Sequence, residues 1–284
     1  MTETVTVFEV GPRDGLQNEA VPIPTAAKIE LVDALSACGF THIEVSSFVS
    51  PKWVPQLADA ADVFAGITPK HGVVYAALTP NQRGYDAARA AGLSDVAVFA
   101  AASEAFSRKN INCSIAESLE RFKPIMAAAE TDGVRVRGYV SVVTDCPYSG
   151  AVSPDAVADV AERLHAMGCE QISLGETLGR ARPESVDAML QAVLERVPAE
   201  VLAGHFHDTD GHAIANIEVA LTHGLRTFDA AVGGLGGCPY APGASGNVAS
   251  ERVVEHLHSL GYRTGIDLAA LQAIGVQAKT LRSV

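Results

Sequence analysis

Apolar and polar positions along the chain fall into two alternating patterns. Short runs with strand character begin near Thr6, His42, Val73, Asp95, Arg135, Gln171, Val201 and Arg226. Between them, apolar residues recur at helical spacing. In residues 25–38, Ile29, Leu31, Val32 and Leu35 share one face, and Gly39 closes the stretch. Ser153-Pro154 predicts a helix start, with an N-cap and a proline in the first turn, followed by Val157, Val160, Leu164 and Met167. Residues 185–197, 213–222, 248–260 and 267–281 carry similar patterns. Ser114-Ile115-Ala116-Glu117 is a capping box, and Pro124, inside the helix it opens, is expected to kink or shorten that helix.

Eight strand–helix units in succession predict an α/β chain folded as a (β/α)8 TIM barrel; an open doubly wound sheet is the alternative. No linker or low-complexity segment interrupts the alternation. The expectation is one catalytic domain over residues 1–284, with the barrel over about 5–260 and a C-terminal helical extension over about 261–284.

Composition narrows the class of partner. A net charge of −12 gives no reason to expect nucleic acid or an anionic membrane. No apolar run reaches membrane-spanning length, and the N-terminus lacks a basic region followed by an apolar core, so no secretory signal is visible. The five cysteines, Cys38, Cys113, Cys146, Cys169 and Cys238, have no zinc-type spacing and read as free thiols of a cytoplasmic protein.

A barrel places its chemistry where strands end and loops begin. The polar residues fall there. The seventh run, Val201-Leu202-Ala203, leads into Gly204-His205-Phe206-His207-Asp208-Thr209. Strand alternation points His205 and His207 to one side, where two imidazoles can grip one divalent ion; the alternative is a pair satisfied by ordinary hydrogen bonds. Asp14, after the first strand, would complete a carboxylate–imidazole set suited to Mg²⁺, Mn²⁺, Co²⁺ or Zn²⁺. Asn247 either adds an amide oxygen or caps the following helix. Arg13 either forms a structural salt bridge or steadies a developing oxyanion. Glu44 and Glu176 are carboxylates at strand ends, where pKa values are often shifted. Six glycines in the fourteen residues 233–246 suggest a mobile loop or close backbone approach to a ligand. Cys238 in its middle suits proton donation or acceptance, whereas the other four cysteines read as packing residues.

These stretches resemble the 3-hydroxy-3-methylglutaryl-CoA lyases, metal-dependent TIM-barrel acyl-CoA lyases. The likeness is carried by Glu9-Val10-Gly11-Pro12-Arg13-Asp14-Gly15-Leu16-Gln17-Asn18-Glu19 and Ser47-Phe48-Val49-Ser50-Pro51-Lys52-Trp53-Val54-Pro55-Gln56. Lys109-Asn110-Ile111-Asn112-Cys113-Ser114 and the loop 233–247 extend it, and it runs from about residue 5 to the C-terminus. The resemblance implies metal ligation by Asp14, His205, His207 and Asn247, substrate contact by Arg13, and catalytic roles for Cys238, Glu44, Glu176 and His205. It also implies an acyl-CoA substrate, cleavage to acetoacetate and acetyl-CoA, and a homo-oligomer. One departure stands out: Leu174-Gly175-Glu176-Thr177 has glutamate where the family pattern has aspartate. That keeps three alternatives open: a lyase for another 3-hydroxy-acyl-CoA, a Claisen-type synthase, and a metal-binding barrel without catalysis.

Overall fold

Eight parallel strands alternate with helices and close on themselves in the computed structural model. It describes residues 3–238 and 241–282, with backbone alone for 237–238 and 241–245. The strands are β1 Thr6–Glu9, β2 His42–Ser47, β3 Val74–Leu78, β4 Asp95–Ala101, β5 Arg135–Ser141, β6 Gln171–Glu176, β7 Leu202–Phe206 and β8 Thr227–Ala230. Each pairs in parallel with its neighbours in sequence, and β8 returns to β1 in the register Thr6 with Thr227. This is the closed barrel expected from the alternation, with strand starts within one residue of expectation. The strands read as near-continuous apolar runs because both of their faces are covered; all five residues of β7 are buried.

The outer layer is α1 Thr25–Ala37, α2 Ala60–Gly66, α3 Gln82–Ala90, α4 Glu104–Ile111, α5 Ile115–Asp132, α6 Pro154–Ala166, α7 Pro183–Leu194, α8 Ala213–Thr222 and α9 Ser250–Ser259, and α10 Leu268–Thr280 is the C-terminal extension. Ser114 and Glu117 form the expected reciprocal capping box. Pro124 does not shorten α5, which runs unbroken for 18 residues. The proline lies on the exposed face, as does Glu120, so the carbonyl it leaves without a donor can bond to water. Two antiparallel hairpins, Asp145–Cys146 with Gly150–Ala151 and Gly237–Cys238 with Ala241–Ser245, project from the loops after β5 and β8. None of the described helices is long and apolar enough to cross a membrane.

Glu9 ties the catalytic-end turns together. Its Oε1 accepts from the backbone N–H of Gly11 (2.8 Å) and Val232 (2.9 Å), and its Oε2 accepts from Ser250 Oγ (2.6 Å). One carboxylate thus links the end of β1, the end of β8 and the start of α9. Burial pushes its pKa from 4.5 up to about 7, against the pull of these donors. The folded state therefore favours the protonated acid. That contribution to stability is complete below about pH 4.5 and is lost as the pH rises through about 7, on the order of 3 kcal/mol by linkage. Glu9→Gln is expected to remove this slope: denaturation from pH 4.5 to 8 should show a smaller loss of stability than in the wild type. Parallel curves for the two proteins would refute it.

Candidate metal centre at the barrel mouth

The turn after β1 carries the first two site residues. Residues Gly11–Gly15 form one π-helical turn in which Val10 O accepts from the amides of Arg13, Asp14 and Gly15. Such turns are rare and cluster at functional sites. Gly15 permits it to seat: a Cβ there would lie 2.6 Å from Leu235 Cβ, on the glycine-rich loop after β8. Opposite, β7 presents His205, and the backbone of His207 bridges that of Asn247. Loop and strand end are joined further by Asp208 N to Gly246 O at 2.7 Å.

These contacts bring Asp14, His205 and His207 together. Their ligand atoms all lie within 4.8 Å of one another, the one such group of His, Cys, Asp and Glu among the described residues. The imidazole rings are 5.2 Å apart. Burial and His205 push the His207 pKa down to about 4, so this ring is neutral and a ready ligand at pH 7. Its Nδ1 is buried without a well-formed hydrogen bond among the described residues, near the backbone of Thr177. A buried imidazole so weakly satisfied beside a carboxylate leaves room for a further partner. Burial alone would raise the Asp14 carboxyl, but Arg13 and the two histidines hold it well below the ordinary range. Asp14 has 23% side-chain exposure, so the group meets solvent through it. The donor set, one carboxylate oxygen and two imidazole nitrogens, fits a divalent ion.

Asn247 is buried and donates through Nδ2 to Asp14 Oδ2 at 2.8 Å and to Leu235 O at 3.3 Å. The helix-capping alternative fails: the N-cap of α9 is Ala249. Both readings of Arg13 meet in one geometry. Its Nε bonds Glu44 Oε2 and its Nη1 bonds Asp14 Oδ1, each at 2.5 Å, and its guanidinium lies 5.5 Å from the Tyr139 ring centre. The remaining guanidinium N–H groups have no bond among the described residues. Ion pairing thus fixes Arg13 in place and leaves donors for another group.

Glu176 does not join this cluster. Along β6, Ser173 faces the interior, where it bonds Asp229. Strand alternation turns Glu176, three residues on, to the opposite face. Both of its oxygens are buried without a well-formed hydrogen bond, near the backbone amides of Arg180, Ala181 and Leu178. Burial raises its pKa to about 7. Its contribution to the centre is through the backbone, where Glu176 O accepts from His207 N at 3.3 Å. The side chain of Cys238 lies outside the described residues. The other four cysteines are buried and free, as expected of packing residues.

The interior also holds Arg137 and Asp229, to which no motif pointed, beside Tyr139 and Ser173 from the strand-end runs of β5 and β6. Arg137 pairs with Asp229 at 2.6 Å and lies 4.2 Å from the Phe8 ring centre. Two guanidiniums, Arg13 and Arg137, thus face three carboxylates, Asp14, Glu44 and Asp229. Burial raises the Glu44 carboxyl against the pull of Arg13, and a cation placed here would favour the ionised form of all three.

Fold and site together define a (β/α)8 barrel with a two-histidine, one-carboxylate cluster whose donor set fits a divalent metal. The chain belongs to the HMGL-like family, whose pattern matches residues 4–276. It is 56% identical to the hydroxymethylglutaryl-CoA lyase of Pseudomonas mevalonii over 275 residues, 97% of this chain and 91% of that protein. The crystal structure of the HMG-CoA lyase from Brucella melitensis superposes with a TM-score of 0.98 at 56% identity, covering 99% of this chain and 100% of that one. An HMG-CoA lyase from Acinetobacter baumannii, solved with coenzyme A and 3-methylmalate, superposes with a TM-score of 0.93 at 38% identity, covering 99% and 92%.

Proposed function

We propose that this chain is a metal-dependent carbon–carbon lyase that cleaves 3-hydroxy-3-methylglutaryl-CoA to acetoacetate and acetyl-CoA. The observation that carries the reading is the convergence of Arg13, Asp14, Glu44, His205 and His207 at the strand ends. It occurs in a chain 56% identical to a hydroxymethylglutaryl-CoA lyase over nearly its full length.

In this reading Asp14, His205 and His207 hold a divalent ion, Mg²⁺ or Mn²⁺ first and Co²⁺ or Zn²⁺ as alternatives, and Asn247 contributes its amide. When bound, the ion supplies Lewis acidity toward the substrate's C3 hydroxyl. A carboxylate beside the metal site accepts the hydroxyl proton. The C2–C3 bond breaks, C3 becomes the ketone carbon of acetoacetate, and the electron pair passes to the enolate of acetyl-CoA. Arg13, steadied by Glu44, stabilises the enolate oxygen. Cys238 returns a proton to C2, and the glycine-rich loop excludes water. Glu176 acts at one remove by organising the loop that follows β6. The partner is an acyl-CoA, with neither nucleic acid nor membrane, in a cytoplasmic homo-oligomer.

The test is acetyl-CoA release from a panel of 3-hydroxy-acyl-CoAs. Release from the 3-hydroxy-3-methylglutaryl ester that stops on chelation is the expected result. Release only from another ester would assign a related lyase, and release from none would leave a binding barrel.

A further inference from the structure

The two histidines of the centre are held differently. His205 is paired in the sheet directly beside Asp229 on β8, and this register brings His205 Nδ1 to 3.1 Å from Asp229 Oδ2. His207 Nδ1 has no well-formed hydrogen bond to a side chain among the described residues. Asp229 is itself fixed from two other strands. Ser173 Oγ donates to its Oδ2 at 2.8 Å, and Arg137 donates through Nη2 to Oδ1 at 2.6 Å and through Nη1 to Oδ2 at 3.2 Å. Arg137 is locked in turn by Tyr139 Oη at 2.9 Å and by the rings of Phe8 and Tyr139.

We propose that Asp229 is the positioning residue of the metal centre: it fixes His205 as the Nδ1–H tautomer, which leaves Nε2 as a bare ligand nitrogen. The proposal rests on the reading of Asp14, His205 and His207 as a metal site. An ionised carboxylate only accepts hydrogen bonds. Paired with Arg137 in the barrel interior, Asp229 stays ionised, so the Nδ1 of His205 must carry the proton. The same bond fixes the plane of the ligating ring; loss of such a partner typically weakens metal binding about 10–100-fold. Asparagine cannot replace it. Its single carbonyl oxygen cannot satisfy Arg137, Ser173 and His205 together, and an amide NH₂ turned to His205 would favour the tautomer with Nε2 protonated.

Two measurements on the full chain test this. Long-range ¹H–¹⁵N spectra of the metal-free protein should show a proton on Nδ1 of His205. Calorimetric titration with Mn²⁺ should show Asp229→Asn weaker than wild type by about 10–100-fold, while Ser173→Ala, which spares the carboxylate, should change it only a few-fold. Asp229→Asn also strips Arg137 of its partner and can fail to fold. The wild-type spectrum then decides, and an Nε2–H tautomer at His205 would overturn the proposal. A folded Asp229→Asn that binds Mn²⁺ as tightly as wild type would also overturn it, and would leave the metal site itself intact. A wild type that binds no Mn²⁺ overturns the metal site and this proposal with it.

Discussion

Arg13→Met is expected to lower kcat by about 10²–10³-fold, the usual cost of removing one preorganised donor from a developing oxyanion. If Arg13 acts on charge that appears only in the transition state, kcat and kcat/KM should fall together and KM should hardly move. The substitution also removes the cation shared by Glu44 and Asp14, each 2.5 Å away. Breaking a buried pair from one side costs about 3–5 kcal/mol, so a lower Tm is expected as well. Arg13→Lys separates the two effects. It restores the charge, and with it most of the stability, but an ammonium lacks the planar fork that reaches both carboxylates and the substrate at once. Tm should therefore recover in Arg13→Lys while kcat stays low. A methionine variant with undiminished activity per folded molecule would make Arg13 a structural ion pair only.

The barrel was legible because its strands repeat at intervals that only one closed topology accommodates. His42, Asp95, Arg135 and Gln171 begin strands where the change from helical to strand-like spacing predicts. The site was legible where chemistry coincides with local spacing. His205 and His207 stand two apart, and Arg13-Asp14 lie in a glycine-bounded turn. It was illegible where partners meet only through barrel closure. Arg137 and Asp229 are 92 residues apart and pair across the interior; in sequence nothing links the one to the other. Strand phase was the available signal, since a charge at an inward position of a buried strand needs a partner. Phase also explains Glu176, which marks a strand end correctly but faces away from the cluster. Phase itself fails at β2, where the register with β3 slips between Glu44 and Ser46. That bulge makes Ser47, not Ser46, the neighbour of the inward-facing Leu78.

Chelation is expected to abolish turnover, and Mn²⁺ or Mg²⁺ to restore it, with single ligand variants separating the charge term from the donor term. Asp14→Asn keeps the shape of the side chain but removes its charge. Arg13 and Arg137 would then face only Glu44 and Asp229, and no anionic oxygen would remain among the three candidate ligands. Mn²⁺ affinity should fall by at least about 10²-fold, because a neutral amide replaces an anionic oxygen ligand. His207→Ala removes a donor without changing the charge, and it also deletes a buried nitrogen that lacks a well-formed hydrogen bond among the described residues. Its fold should therefore be as stable as wild type in the metal-free form, although its metal affinity drops. This combination, lost affinity with retained apo-protein stability, is what distinguishes a ligand from a packing residue. Asn247→Ala tests the last position: it removes the hydrogen bond to Asp14 along with the amide, so the loss should be smaller than for Asp14→Asn. Electron paramagnetic resonance of added Mn²⁺ measures free against bound ion in all three. Tight Mn²⁺ binding by both Asp14→Asn and His207→Ala would show that the ion sits elsewhere.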